Sequence, residues 1–182
     1  GLLVDDRSHL DTLCVRHGLV QRAGIGPESA FVLKLALRGP GVTVRGTLAA
    51  VDFVLPALEI VDRRIRDWES GLFDTVGDNA ASGGVVLGST PTDVSAVDLR
   101  LTGCTFHRNR ELFATGAGGA VLRSPLNSLI CLATTVSALG ITLEAGQVVL
   151  PGSSPPVAVV EPGDTVHATI AVARSSAARL PH

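Results

Sequence analysis

Glu28 and Glu59 are the residues whose type and setting point most sharply to chemistry, because each stands at the edge of a strongly apolar run. An isolated carboxylate there is costly unless it is paired, protonated or bound to a cation. Brought together, two such groups could hold a divalent metal ion or share a proton. Spacing alone leaves a plainer arrangement open, in which each is solvated at a strand end or paired with Arg63 or Arg64.

A second concentration of polar atoms lies in one connection: Asp74, Thr75, Asp78, Asn79 and Ser82 offer oxygen ligands and hydrogen-bond donors to a small polar substrate. The same composition also suits a network of Asx turns that merely holds a loop. The five histidines, 9, 17, 107, 167 and 182, are scattered and suggest no catalytic constellation. Gly116-Ala117-Gly118-Gly119 lacks the strand-to-helix context of a phosphate-cradling loop, and no nucleophile elbow is present.

The elements that must position these groups are mostly strands. Residues 29–37 (SAFVLKLAL) read as a buried strand closed by Gly39-Pro40-Gly41, with residues 1–25 as a surface lead-in and Glu28 at the strand's mouth. Thr43 is placed to cap a helix over 43–54 that Pro56 ends, since Leu48, Val51, Phe53 and Val54 recur at helical spacing. A strand over 57–62 then carries Glu59 on the face of Ala57 and Val61, opposite Leu58 and Ile60. The polar connection 66–83 leads to a short strand at 84–88, and a hairpin over 98–116 turns at Arg108–Glu111, where Arg110 stands in place of the expected Gly. Pro125 opens a buried helix to about residue 139, with Leu126, Leu129, Ile130, Ala133 and Val136 on one face and Gly140 after it. Strands between 147 and 173 complete a strand-dominant α+β chain, expected to form one domain over 1–182.

Composition excludes several classes of function. Fifteen basic residues, fourteen of them Arg and one Lys34, against 17 acidic ones leave a net charge of −2 with no basic patch, and six aromatic rings provide no base-stacking platform. Neither nucleic acid nor an anionic membrane is an expected partner. Ser124 to Leu143 is long and uncharged, but Pro125, Asn127 and its Ser and Thr residues argue against a membrane span. Cys14, Cys104 and Cys131 form neither a disulfide framework nor a zinc spacing, which fits a cytoplasmic location. The chain starts at Gly1 without an initiator Met, so a longer gene product is expected.

Five blocks, PALEIVDRRIRDW (56–68), DTVGDNAASG (74–83), ATGAGGAVLRSPLNSL (114–129), LEAGQVVLPGS (143–153) and EPGDTV (161–166), occur in an order and spacing that resembles the fumarylacetoacetate hydrolase superfamily. The nearest likeness is to its branch of 2-hydroxypenta-2,4-dienoate (2-oxopent-4-enoate) hydratases and 4-oxalocrotonate decarboxylases, over about the C-terminal two-thirds of a usual member. The resemblance implies a mixed, rolled β-sheet with a few helices and a Mg²⁺ or Mn²⁺ held by three carboxylates. Glu28 and Glu59 match two of these; the position of the third is Gly26, so weakened or absent metal binding is expected. A lysine that assists the family's chemistry falls upstream of residue 1, and Lys34 stands in the wrong block to replace it.

The activity implied is that of a hydratase-like lyase on a small unsaturated 2-oxo acid, with charge developing on an enolate oxygen next to the metal. VVLPGS (148–153) favours the hydratase over the decarboxylase branch. Under this reading Glu28 and Glu59 are metal ligands and catalytic groups, Asp78 and Asn79 are catalytic, and Asp74, Ser82 and Ser153 bind substrate. Gly26 keeps two alternatives open: a metal-independent enzyme reshaped for another ketone or polyene, as in natural-product biosynthesis, and a non-catalytic paralogue that pairs with a related enzyme. A homo-oligomer is expected, with a hetero-complex as the variant of the last case.

Overall fold

A computed structural model describes residues 8–10, 12–14, 23–62, 81–171 and 173–179. Among them, eleven strands form two curled sheets. β1 (Ser8–Leu10), β5 (Ser82–Leu87), β4 (Val51–Asp62), β3 (Ala23–Leu33) and β8 (Val148–Val149) lie side by side in the first, with β9 (Ala158–Val159) also paired to β3. The second runs β2 (Thr12–Cys14), β11 (Ala173–Arg179), β10 (Thr165–Ile170), β6 (Gly103–Arg108) and β7 (Glu111–Ala117). Only β1 with β5 and β2 with β11 are parallel, so both sheets are mixed.

The two sheets share a core. Ile25, Leu58, Ile60 and Val86 from the first meet Phe106, Val166 and Ala168 from the second. Farther along β3 and β4, Phe31, Leu33, Val51 and Val54 pack against Leu129 and Ala133 of a helix. The reverse face of the first sheet buries Ala30, Leu55, Ala57, Val85 and Leu87. Alternation along β4 from Phe53 onward produces this division, the register shift at Val32 and Leu33 bringing Val51 to the side of Val54, and it separates Glu59 from Leu58 and Ile60 as expected.

Several expected boundaries are corrected. The first long strand starts at Ala23, not Ser29, and ends at Leu33, so Glu28 sits inside it and residues 23–25 are buried rather than a surface lead-in. Residues 8–10 and 12–14, assigned to the same lead-in, form β1 and β2. Gly24, Gly26 and Pro27 have poor strand propensity, but eleven cross-strand pairs with β4 override it. Pro27 is tolerated because β8 and β9 pair with β3 only at residues 31–32 and 24–25 and leave the ladder between.

The helix expected over 43–54 is α1 (Val44–Ala50), and residues 51–62 are one strand. The Thr43 side chain caps it as anticipated, accepting from the Gly46 N–H at 3.1 Å. Val51, Phe53 and Val54 satisfy both helical and strand periodicity, and pairing with β3 decides for the strand. Pro56 therefore lies within β4, opposite Ser29. α2 (Pro125–Ala138) has the expected limits, with Gly140 in the left-handed conformation at φ 77°. It is amphipathic rather than buried: Leu129 and Ala133 are covered while Cys131, Leu132 and Thr135 are exposed.

The hairpin of β6 and β7 turns through Asn109 (φ 52°) and Arg110 (φ 70°). Both central residues are left-handed, as the tight hairpin turn requires. Asn109 is held there by Asp164 and by the Thr165 N–H, at 2.7 and 2.9 Å. Asp164 also takes the Arg108 guanidinium, at 2.9 Å from Nε and 2.7 Å from an Nη atom. One half-buried cluster thus ties the hairpin tip to the start of β10.

Candidate active site

The register of β3 against β4 builds the site. Gly26 stands directly opposite Glu59 and Glu28 opposite Ala57, so all four project to one face of the first sheet. Glu28 and Glu59 meet there and hydrogen-bond to each other. Glu28 is only 5% exposed. One of its oxygens, Oε2, accepts the Gly152 N–H at 2.8 Å.

Two ionised carboxylates cannot share such a place without a compensating charge or a proton. Burial and the neighbouring Glu59 charge push Glu28 up to about 8, against the opposing pull of the Gly152 hydrogen bond. Glu59 is raised as well, chiefly by burial, with the Glu28 hydrogen bond acting the other way. The pair therefore shares one proton near neutrality unless a cation takes its place.

Gly152 reaches Glu28 because the segment between β8 and β9 replaces a ladder along β3. Gly152 itself sits at φ 120°, a conformation glycine adopts without strain. Ser153 locks the segment: its hydroxyl lies 3.0 Å from the Pro27 carbonyl and 2.7 Å from that of Pro155. Beneath it passes Gly116, where an added Cβ would fall 2.7 Å from Ser154 Oγ and 2.8 Å from the Pro155 nitrogen. Gly116→Ala is thus expected to push the segment off β3 and weaken the Gly152 bond to Glu28. A downfield to upfield move of the Gly152 amide proton, read by NMR, measures it; an unmoved amide contradicts this.

A small cleft opens beside Glu28, lined by Thr102, Cys104, Val121, Pro125, Gly152 and Ile170. Its chemistry is mostly apolar. Thr102 spends its hydroxyl on the Leu99 carbonyl at 2.8 Å. Burial pushes the Cys104 thiol up to about 11, so it stays neutral and is a poor nucleophile.

Of the residues expected in the site, Glu28 and Glu59 converge and Ser153 lies beside them, its hydroxyl turned to backbone carbonyls. Ser82, expected in the polar connection, is instead the first residue of β5, fully buried opposite Val61. Strand pairing with β4 draws it out of the loop. Asp74, Asp78 and Asn79, together with Arg63 and Arg64, lie outside the described residues. Lys34 is half exposed and sits 4.0 Å from Asp52, away from the pair. Sequence reasoning missed Gly152 as the donor to Glu28; its one local sign was the Pro-Gly step of VVLPGS.

The residues fit a hard divalent ion. Two carboxylates, buried together with ionisation suppressed, present the oxygen donors such an ion takes, and water can complete its shell. A third protein ligand is lacking among the described residues, where no group of three His, Cys, Asp or Glu gathers. At the position that register offers for it, Gly26, the space belongs to Val157 Cγ2 and Ser153, 3.2 and 3.4 Å from an ideal Cβ.

Residues 9–179 match a family model described as fumarylacetoacetate (FAA) hydrolase, C-terminal. A 2-keto-4-pentenoate hydratase of Paraburkholderia xenovorans (strain LB400) is 44% identical over 164 residues, covering 90% of this chain and 61% of that protein. A 4-oxalocrotonate decarboxylase of Pseudomonas sp. (strain CF600) is 35% identical, over 91% of this chain and 63% of its own length. Among solved structures, 4-oxalocrotonate decarboxylase from Pseudomonas putida G7, complexed with magnesium and adipate, superposes with a TM-score of 0.93 at 31% identity, covering 97% of this chain and 67% of that one. The chain spans about three-fifths of the length of the curated relatives it matches.

Proposed function

Because the chain belongs to the fumarylacetoacetate hydrolase family, we propose that it carries the ligand-binding part of a hydratase-like lyase for a small unsaturated 2-oxo acid. One observation bears most of the weight: two carboxylates, Glu28 and Glu59, face each other on a buried sheet face with a fixed N–H donor behind one of them. Likeness to 2-keto-4-pentenoate hydratases at 44% identity supports hydration over decarboxylation.

Glu28 and Glu59 would hold a Mg²⁺ or Mn²⁺, which when bound supplies Lewis-acid polarisation of a 2-oxo acid's oxygens. Gly152 orients Glu28 through its N–H, and loss of the shared proton makes both carboxylates available as ligands. Val121, Pro125 and Ile170 give the small cleft beside Glu28 an apolar side, toward which the hydrocarbon end of the substrate would lie. Asp78 and Asn79 are assigned to proton handling and Asp74 to holding the substrate, while Ser153 serves the site by fixing the segment that carries Gly152. This assignment rests on the block resemblance. A cytoplasmic setting, which keeps Cys104 and Cys131 reduced, and a homo-oligomeric assembly belong to the same proposal.

Gly26 favours a second reading, in which the pocket works without metal on another substrate or has lost catalysis and serves a related subunit. The test is hydration of 2-hydroxypenta-2,4-dienoate, followed as loss of dienol absorbance with and without Mn²⁺, on wild type and Glu59→Gln. Mn²⁺-dependent turnover that the variant lacks supports the lyase. Turnover indifferent to chelators supports the metal-independent enzyme, and none under any condition supports the non-catalytic protein. Within the lyase reading, Asp78→Asn is expected to lower turnover at least tenfold while moving the melting temperature little. A large fall in melting temperature with unaltered turnover would make the 74–83 connection a structural loop.

A further inference from the structure

Away from the carboxylate pair, the second sheet brings two imidazoles together. β6 and β10 are antiparallel, and His107 stands directly opposite His167 in their register. Their ring centroids are 6.3 Å apart, with the ring planes inclined at 55°. Neighbouring positions on the two strands, Phe106, Val166 and Ala168, point into the core shared by the sheets. Alternation therefore turns both histidines to the other face, where Thr105 and Thr169 are exposed. His107 Nδ1 is nevertheless buried and has no hydrogen-bond partner among the described residues.

We propose that His107 and His167 form a two-imidazole site for a borderline divalent transition metal, Zn²⁺, Ni²⁺ or Cu²⁺, distinct from the carboxylate site. Imidazole nitrogen is a preferred donor for these ions and a poor one for Mg²⁺, whereas the Glu28–Glu59 pair has the opposite preference. The geometry is within reach. A metal about 2.1 Å from one nitrogen of each ring places the centroids roughly 5 to 6.4 Å apart as the angle at the metal opens from tetrahedral to linear. The observed separation lies at the wide end of that range, so a side-chain rotation closes the chelate without moving the strands. Ladder pairing on both sides holds the two Cα atoms in place: β10 lies between β6 and β11, and β6 between β10 and β7. Coordination through Nδ1 of His107 would also satisfy a buried atom that has no partner among the described residues. Water completes the shell on the exposed side.

Ni²⁺ titration of the full chain in excess Mg²⁺ tests the proposal, using calorimetry on wild type, His107→Asn, His167→Asn, the double variant and Glu28→Gln. The second imidazole acts at high effective concentration, so either single variant is expected to lose about 10²-fold in Ni²⁺ affinity, and the double variant to lose the remaining single-imidazole binding as well. Glu28→Gln is expected to bind Ni²⁺ like wild type. Cu²⁺ electron paramagnetic resonance on the wild type should show two coordinated imidazole nitrogens and on the single variants one, which separates ligand loss from misfolding. Wild-type affinity no tighter than that of the double variant would overturn the site. So would loss of binding in Glu28→Gln, or a Cu²⁺ spectrum with a single imidazole in the wild type.

Discussion

Stripped of divalent cations, the protein should lose stability as pH rises from about 4.5 to 8, and adding Mn²⁺ should abolish that loss. Glu28 moves from its ordinary 4.5 to about 8 on folding, because burial and the Glu59 charge favour its neutral form. The fold thus binds this proton more tightly than the unfolded chain does. Its contribution is fully present below pH 4.5 and disappears as pH climbs through 8. The size is on the order of a few kcal/mol, large against a typical total stability of 5–15 kcal/mol.

Glu28→Gln removes one ionisable group and keeps an acceptor for the Gly152 N–H, so its stability should fall less steeply over the same interval, with only the buried Glu59 still contributing. A divalent ion displaces the shared proton, so Mn²⁺ affinity should rise with pH through 8 and fall at least tenfold in the same variant. Urea melts at pH 5 and 8, with chelator and with Mn²⁺, measure both effects. Equal stability at the two pH values without metal would mean that the carboxylates are not held together as described.

The second large effect is expected at Gly26→Glu, which should tighten Mn²⁺ binding about tenfold or more by adding a third anionic oxygen donor. Gly26 is directly opposite Glu59 and on the same face as Glu28, and opposed Cβ atoms in such a pair lie about 4.5–5.5 Å apart. A carboxylate there can reach the other two. The obstacle is local: Val157 Cγ2 and Ser153 stand 3.2 and 3.4 Å from the new Cβ and must give way by a few tenths of an ångström. Gly26→Glu with Val157→Ala relieves the closer contact and should show the gain in Mn²⁺ affinity as well. Calorimetry with Mn²⁺ decides; equal affinity in wild type and both variants would mean that the pocket has diverged beyond this one position.

The sequence by itself determined the family and the chemistry of the pair. Five blocks in fixed order carried the resemblance, and two acidic residues in apolar strands carried a cost that only pairing, a proton or a cation offsets. Alternation along 57–62 already set Glu59 on the face away from Leu58 and Ile60, because side-chain direction in a strand follows from period two alone. Turn and cap chemistry was equally local: Thr43, Pro125 and Gly140 mark helix ends through their own backbone and side-chain preferences.

Tertiary structure decided the rest. Residues 51–54 fit a helix or a strand, and Ala23 to Glu28, with two glycines and a proline, fit neither well; partners distant in the chain made both of them strands. That choice moved Glu28 from the mouth of a strand to its interior and set Gly26 opposite Glu59. The Gly152 N–H reaches Glu28 across 124 positions, and His107 meets His167 across 60. No local propensity encodes such meetings, because they depend on the register of one strand against another, which is a property of the folded sheet and not of any segment within it.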